Sequence, residues 1–338
     1  MAPRKIKSRI RSNSERVSAE PSNFNGAWAM ITLLGPPILM YLYLRCVNNL
    51  CILWYFPLTI PGRLEDYFNL NAFAIVLGFI IFQMIWKRVF SQSNAMDGMP
   101  DEDEIVPTSF SSFICLSSVM TFFHFMKPEI LISIQDELIP ILVTTVIFVL
   151  VYSTVISLTS LFSFKAEANR GFFSLFLNGP NIAWPDFLSE WFFFTHIGYV
   201  GWGMLNLLFF LNALGNGSIT ESAMFIFGTQ LLFISHSLLF EKLFQRRAFI
   251  RMEKVSYKWL VKFVIFMPFI GSLPMLQVTV TDFFFYPNSI HLCNLVFFLF
   301  GFLIYTTSGH QMDRFLKDPV AAKDMDYVNV GTDRGVKR

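Results

Sequence analysis

The chain reads as an all-α polytopic transmembrane bundle of about eight spanning helices. Three observations predict this. Hydrophobic residues make up 54% of the 338 positions and charged ones only 15%, with 41 Phe; a water-exposed domain of this length carries a far more charged surface. Apolar runs of bilayer-spanning length recur near 26–45, 69–90, 108–126, 138–163, 191–214, 222–240, 257–281 and 289–307. Basic residues also alternate sides. With the N-terminus in the cytosol, Lys87, Arg88, Lys165, Arg170 and the row from Lys242 to Lys262 fall on one side, and only Arg45, Arg63 and Lys127 on the other. That asymmetry is what the positive-inside rule demands, and it implies an even helix count.

Residues 1–24 form a basic arm with almost nothing to bury, so it is expected to be disordered and to face cytosol or nucleoplasm. Arg4, Lys5, Lys7, Arg9 and Arg11 are its candidate polyanion contacts, to lipid headgroups, chromatin or DNA. The competing reading makes the same residues a topology signal. No early apolar core marks a cleavable signal peptide. The transmembrane domain is assigned to 25–312 and a cytosolic tail to 313–338. Gly35-Pro36-Pro37 should kink or break the first helix, because proline lacks the donor for the bond one turn back. The short proline-bounded stretch 49–61 reads as interfacial or re-entrant. Asp101-Glu-Asp-Glu104 reads as a solvated acidic loop rather than a metal site.

The stretch from Asp186 to Glu253 is the most informative. Two spans meet at the polar turn Gly215-Asn-Gly-Ser218, and they carry His196, Trp202, Asn206, Gln230, His236 and Glu241. Hydrocarbon rejects such groups unless they face other helices or a cavity. Pro268 and Pro274 should break the following span. Cys46, Cys51, Cys115 and Cys293 are scattered, without metal or redox spacing, and read as small apolar fillers. The sequence shows no internal repeat of the kind transporters carry, no phosphate-cradling glycine loop, and no HExxH or GxSxG motif.

Several weak motifs stand in one order along nearly all of 24–338. They are Phe24-Asn-Gly-Ala-Trp with Gly35-Pro36-Pro37, Tyr41 and Cys46, then Gly198-x-x-Gly201-Trp202-x-x-x-Asn206 with Gln230 and Glu241. Pro274, Pro287 and the run Ser308-Gly-His-Gln311-x-x-x-Phe315 with Pro319 follow. Together they resemble the sterol reductase family, which includes the Δ14-sterol reductases and the membrane domain of the lamin B receptor. The resemblance implies a protein of the endoplasmic reticulum and inner nuclear membrane. Its substrate-binding candidates are Trp202, Asn206, Gln230, His236 and Glu241, lining a groove for sterol.

The chain also departs from the family. The family's Tyr-Asp and Arg-Glu pairs correspond to apolar positions in Gly171–Pro180, and charged positions appear as His196 and His236. The family's cofactor-binding C-terminal block has no counterpart before Arg338. Sterol reduction needs a proton donor, a hydride from NADPH and clamps for several phosphate charges. The resemblance therefore implies a pseudoenzyme with no catalytic residue, no metal and no cofactor. Its expected role is to anchor chromatin or lamina through the arm while contacting membrane lipid and sterol. The alternative is an active reductase that uses NADPH.

Overall fold

A computed structural model describes residues 24–47, 66–96, 108–163, 171–179, 190–241, 255–280, 288–317, 327–329 and 335–337. Helices dominate: α1 (Phe24–Val47), α2 (Leu70–Met96), α3 (Thr108–Met126), α4 (Pro128–Asp136), α5 (Leu138–Ser163), α6 (Phe172–Asn178), α7 (190–215), α8 (Glu221–Leu239), α9 (257–280) and α10 (Asn288–Lys317). Among the described residues, seven helices are long and apolar enough to cross a membrane, and a shorter apolar stretch, Leu34–Leu44, lies within α1. The all-α membrane bundle read from the sequence is the architecture observed. A two-stranded antiparallel ribbon, β1 (Tyr327–Asn329) with β2 (Gly335–Lys337), is added in the tail. The arm with Arg4, Lys5, Lys7, Arg9 and Arg11, the 49–61 stretch, the acidic loop and the basic residues 242–254 lie outside the described residues.

One expectation about proline is corrected, the break assigned to Pro268 and Pro274. Helix α1 runs through Pro36 and Pro37, and α9 runs through Pro268 and Pro274 without interruption. In α9 the physical reason is local: a π-helical segment, Val261–Phe266, directly precedes Met267-Pro268. The wider turn relieves the clash and missing donor that a proline imposes on the turn before it. Helix α7 carries a second π segment, Phe193–Tyr199, between Glu190–Phe192 and Val200–Gly215.

Helix starts are capped as their sequences suggest. Asn69, Thr220 and Ser256 accept from the backbone N–H groups of Ala72, Ala223 and Trp259 at 2.8, 3.1 and 3.2 Å. Helix α7 ends on Gly215, and Gly217 at φ +65 lets the Ser218 N–H return to the Ala213 carbonyl before α8 begins. Helix α5 contributes Leu138, Leu142, Val149 and Ile156 to the core, where they meet Phe192, Phe193 and Ile265 from α7 and α9. Its hydroxyl row, Thr145, Ser153, Ser157 and Ser160, bonds back one turn to its own carbonyls, so these small polar groups enter the core already satisfied.

Interhelical polar contacts occur within the bundle, as where Tyr43 of α1 meets Ser272 of α9 at 2.9 Å, and at both of its ends. At one end Asn69 bonds Glu137, and the Asn212 amide reaches Gln135 and the Leu131 carbonyl at 2.6 and 3.1 Å. These contacts pin the short amphipathic α4 to α2 and α7. At the other end lie Lys87, Thr108, Ser109, Trp191 and Glu241, followed in α9 by Lys258 and Lys262. We call this the basic end.

Candidate functional site

Among the described residues, two of the polar nodes inside the apolar bundle hold the candidates singled out from the sequence. The first is at mid-depth, where α7 faces α8. The Trp202 indole N–H donates to Gln230 Oε1 at 3.1 Å, and the Asn206 amide donates to the same oxygen at 2.5 Å. The assignment is forced by chemistry. Indole only donates, so Gln230 must present its oxygen, and Asn206 must then present its nitrogen. Asn206 Oδ1 is left buried without a partner. Tyr199, Phe233 and Trp202 pack around the node with ring centroids 5.9 to 6.3 Å apart. Gly271 of α9 lies directly against the indole.

Asn206 gives a direct test of what this node is for. A buried carbonyl without a donor costs about 1–3 kcal/mol, which a structural amide has no reason to carry. Asn206→Leu is therefore expected to leave the thermal unfolding midpoint of the purified protein unchanged or raised. A clear drop in that midpoint shows that the amide is held for stability.

The second node sits at the basic end and is built around Glu241, only 8% exposed. Its carboxylate accepts from the Ser109 hydroxyl, from Trp191 Nε1 at 2.7 Å and from Thr195 Oγ1 at 3.1 Å. Ser109 lies in the first turn of α3, where the helix dipole also favours negative charge. Beside this cage, His196 is fully buried between two partners. Its Nδ1 meets Gln83 Oε1 at 3.0 Å and its Nε2 meets Thr108 Oγ1 at 3.1 Å. The ring stacks on Phe192, over which Lys87 Nζ also sits at 5.5 Å from the centroid.

Of the five substrate-binding candidates, the structure brings together Trp202, Asn206 and Gln230. His236 lies on the seam between α8 and α10, near the rings of Phe240, Phe302 and Tyr305 at 4.6, 5.0 and 6.4 Å, and Tyr305 in turn meets Phe233 of the node at 5.5 Å. Glu241 is the centre of the second node. Sequence reasoning missed Gln83, Thr108, Ser109, Trp191 and Thr195. Gln83 had a signal, an amide inside an otherwise apolar run, whereas hydroxyls in membrane helices usually bond their own backbone. Among the described residues no group of His, Cys, Asp and Glu is placed to hold a metal ion. No protein-family model matches the chain, and no curated protein matches it.

Proposed function

We propose that this chain is a sterol-reductase-like membrane protein of the endoplasmic reticulum and inner nuclear membrane that holds a sterol without reducing it. On this reading its basic arm anchors chromatin or lamina. The ordered motifs from Phe24 to Pro319 support the family reading. The observation that carries the non-catalytic reading is the make-up of the mid-depth node. Trp202, Asn206 and Gln230 supply an indole and two amides, and none of these groups gives up or takes a proton near neutral pH. They offer hydrogen bonds and a flat apolar wall, which suit recognition of a hydroxylated ring system. Protonating a sterol double bond requires an acid, and the Glu241 carboxyl is engaged by three donors in a separate cage.

Photocrosslinking and cofactor oxidation on the purified protein test the proposal together. A photoreactive sterol should label peptides around Trp202 and Gln230, with labelling competed by unlabelled sterol. NADPH mixed with a Δ14-unsaturated sterol should remain unoxidised. Sterol-dependent oxidation by the folded wild-type protein establishes the reductase reading instead. Absence of competed labelling removes the sterol.

A further inference from the structure

The two π segments lie side by side. A Cβ on Gly198, in the first, would fall 2.8 Å from the Phe263 carbonyl oxygen in the second and 3.0 Å from Met267 Sδ. Only a bare Cα permits this backbone approach. The π helix is rare and locally less stable than the α helix, and it concentrates where helices must readjust. Two such segments in contact, on neighbouring spans, therefore mark a soft layer, and no other π segment occurs among the described residues.

That layer touches both polar nodes. On the side of the basic end, the Thr195 hydroxyl lies 3.1 Å from Glu241 Oε1 and 3.0 Å from the Trp191 carbonyl. It has one proton, so it donates fully to only one of them at a time. This defines two arrangements, one tying the π segment to the cage and one returning the proton to its own helix. Rings continue the path. Trp191 meets Phe194 at 5.2 Å, and Phe194 meets Phe263 of the second π segment at 4.7 Å. Phe194 also meets Tyr199 at 5.1 Å, and Tyr199 stacks with Trp202 of the mid-depth node at 6.2 Å.

We propose that the paired π segments are a coupling hinge, through which a change at the Glu241 cage is felt in the second π segment and at the Trp202 node. The two-arrangement hydroxyl supplies the bistable element that energetic coupling requires. Phe194 is the side chain through which the change passes. This inference stands independently of any sterol or reductase reading.

Hydrogen–deuterium exchange of the purified full chain, followed by mass spectrometry, tests it. In Glu241→Gln, exchange should rise about threefold or more in both 193–199 and 261–266. Helix α9 carries none of the carboxylate's hydrogen-bond donors, so a response there reports coupling. Exchange in α5 should stay unchanged. Thr195→Val removes the shared hydroxyl but leaves Ser109 and Trp191 on the carboxylate, and it carries the same expectation if Glu241→Gln does not yield folded protein. A change confined to 190–199 overturns the hinge. So does an increase spread evenly through α5 and the other spans in both variants.

Discussion

Replacing Glu241 with alanine is expected to be among the most damaging single changes in the bundle. Three donors converge on this carboxylate from α3 and from two positions of α7, while the residue itself lies just past the end of α8. Truncation removes the acceptor and leaves the Trp191 indole N–H and the Ser109 hydroxyl unpaired in a low-dielectric layer, while Thr195 turns to the Trp191 carbonyl. Ser109 is fully buried and Trp191 and Thr195 nearly so, so water does not replace what is lost. Interhelical hydrogen bonds within membranes average ~0.6 kcal/mol and reach ~1.7 kcal/mol, which makes the loss about 1 to 3 kcal/mol for the two donors left without an acceptor. Glu241→Gln should lose less, because the amide oxygen still accepts from two donors. Thermal unfolding of both variants in one detergent provides the check. Equal midpoints for wild type and Glu241→Ala would show that the cage holds nothing together.

The spans were legible because hydrocarbon imposes a strict rule: a run of some twenty apolar residues must form its own hydrogen bonds, so it becomes a helix. Boundaries such as Thr108 and Leu138 were therefore visible in hydropathy alone. The π segments were not. They arise where a proline or a close crossing makes one extra residue per turn the better fit, and apolar runs such as Val261–Phe266 carry no compositional trace of that. Pro268 was a signal read the wrong way, as a break rather than as the reason for a wider turn before it. Side-chain partnerships were partly legible. Indole and amides four residues apart on one helix share a face, so Trp202 and Asn206 belonged together; that Gln230 would join them depends on how α7 and α8 cross. Glu241 was recognisable as an intramembrane polar group. Its partners Ser109 and Trp191, 132 and 50 residues away, come from pairings that no local pattern encodes.

Glycines offer the sharpest contrast between sites that look alike in sequence. An added Cβ at Gly271 would lie 2.6 Å from Cε2 and Nε1 of the Trp202 indole and 2.8 Å from Cδ2, in the middle of a rigid ring system. No such contact exists at Gly228 of α8, where a Cβ would meet nothing within 4 Å. Gly228→Ala should therefore be neutral or stabilising, since alanine is the better helix former by about 1 kcal/mol. Gly271→Ala must instead move the indole or part α9 from α7. Overpacking of this kind costs about 1 to 3 kcal/mol, and a displaced indole also abandons its bond to Gln230. Gln230 Oε1 would then keep only the Asn206 donor, and Trp202 would meet a different environment. Two measurements should move together in Gly271→Ala: a lower unfolding midpoint, and an altered emission that is absent when the same change is made in a Trp202→Phe background. Unchanged emission with a lowered midpoint would mean that the helices separate and the indole stays with Gln230. A midpoint as high as that of Gly228→Ala would show that α7 and α9 do not pack through Trp202 at all.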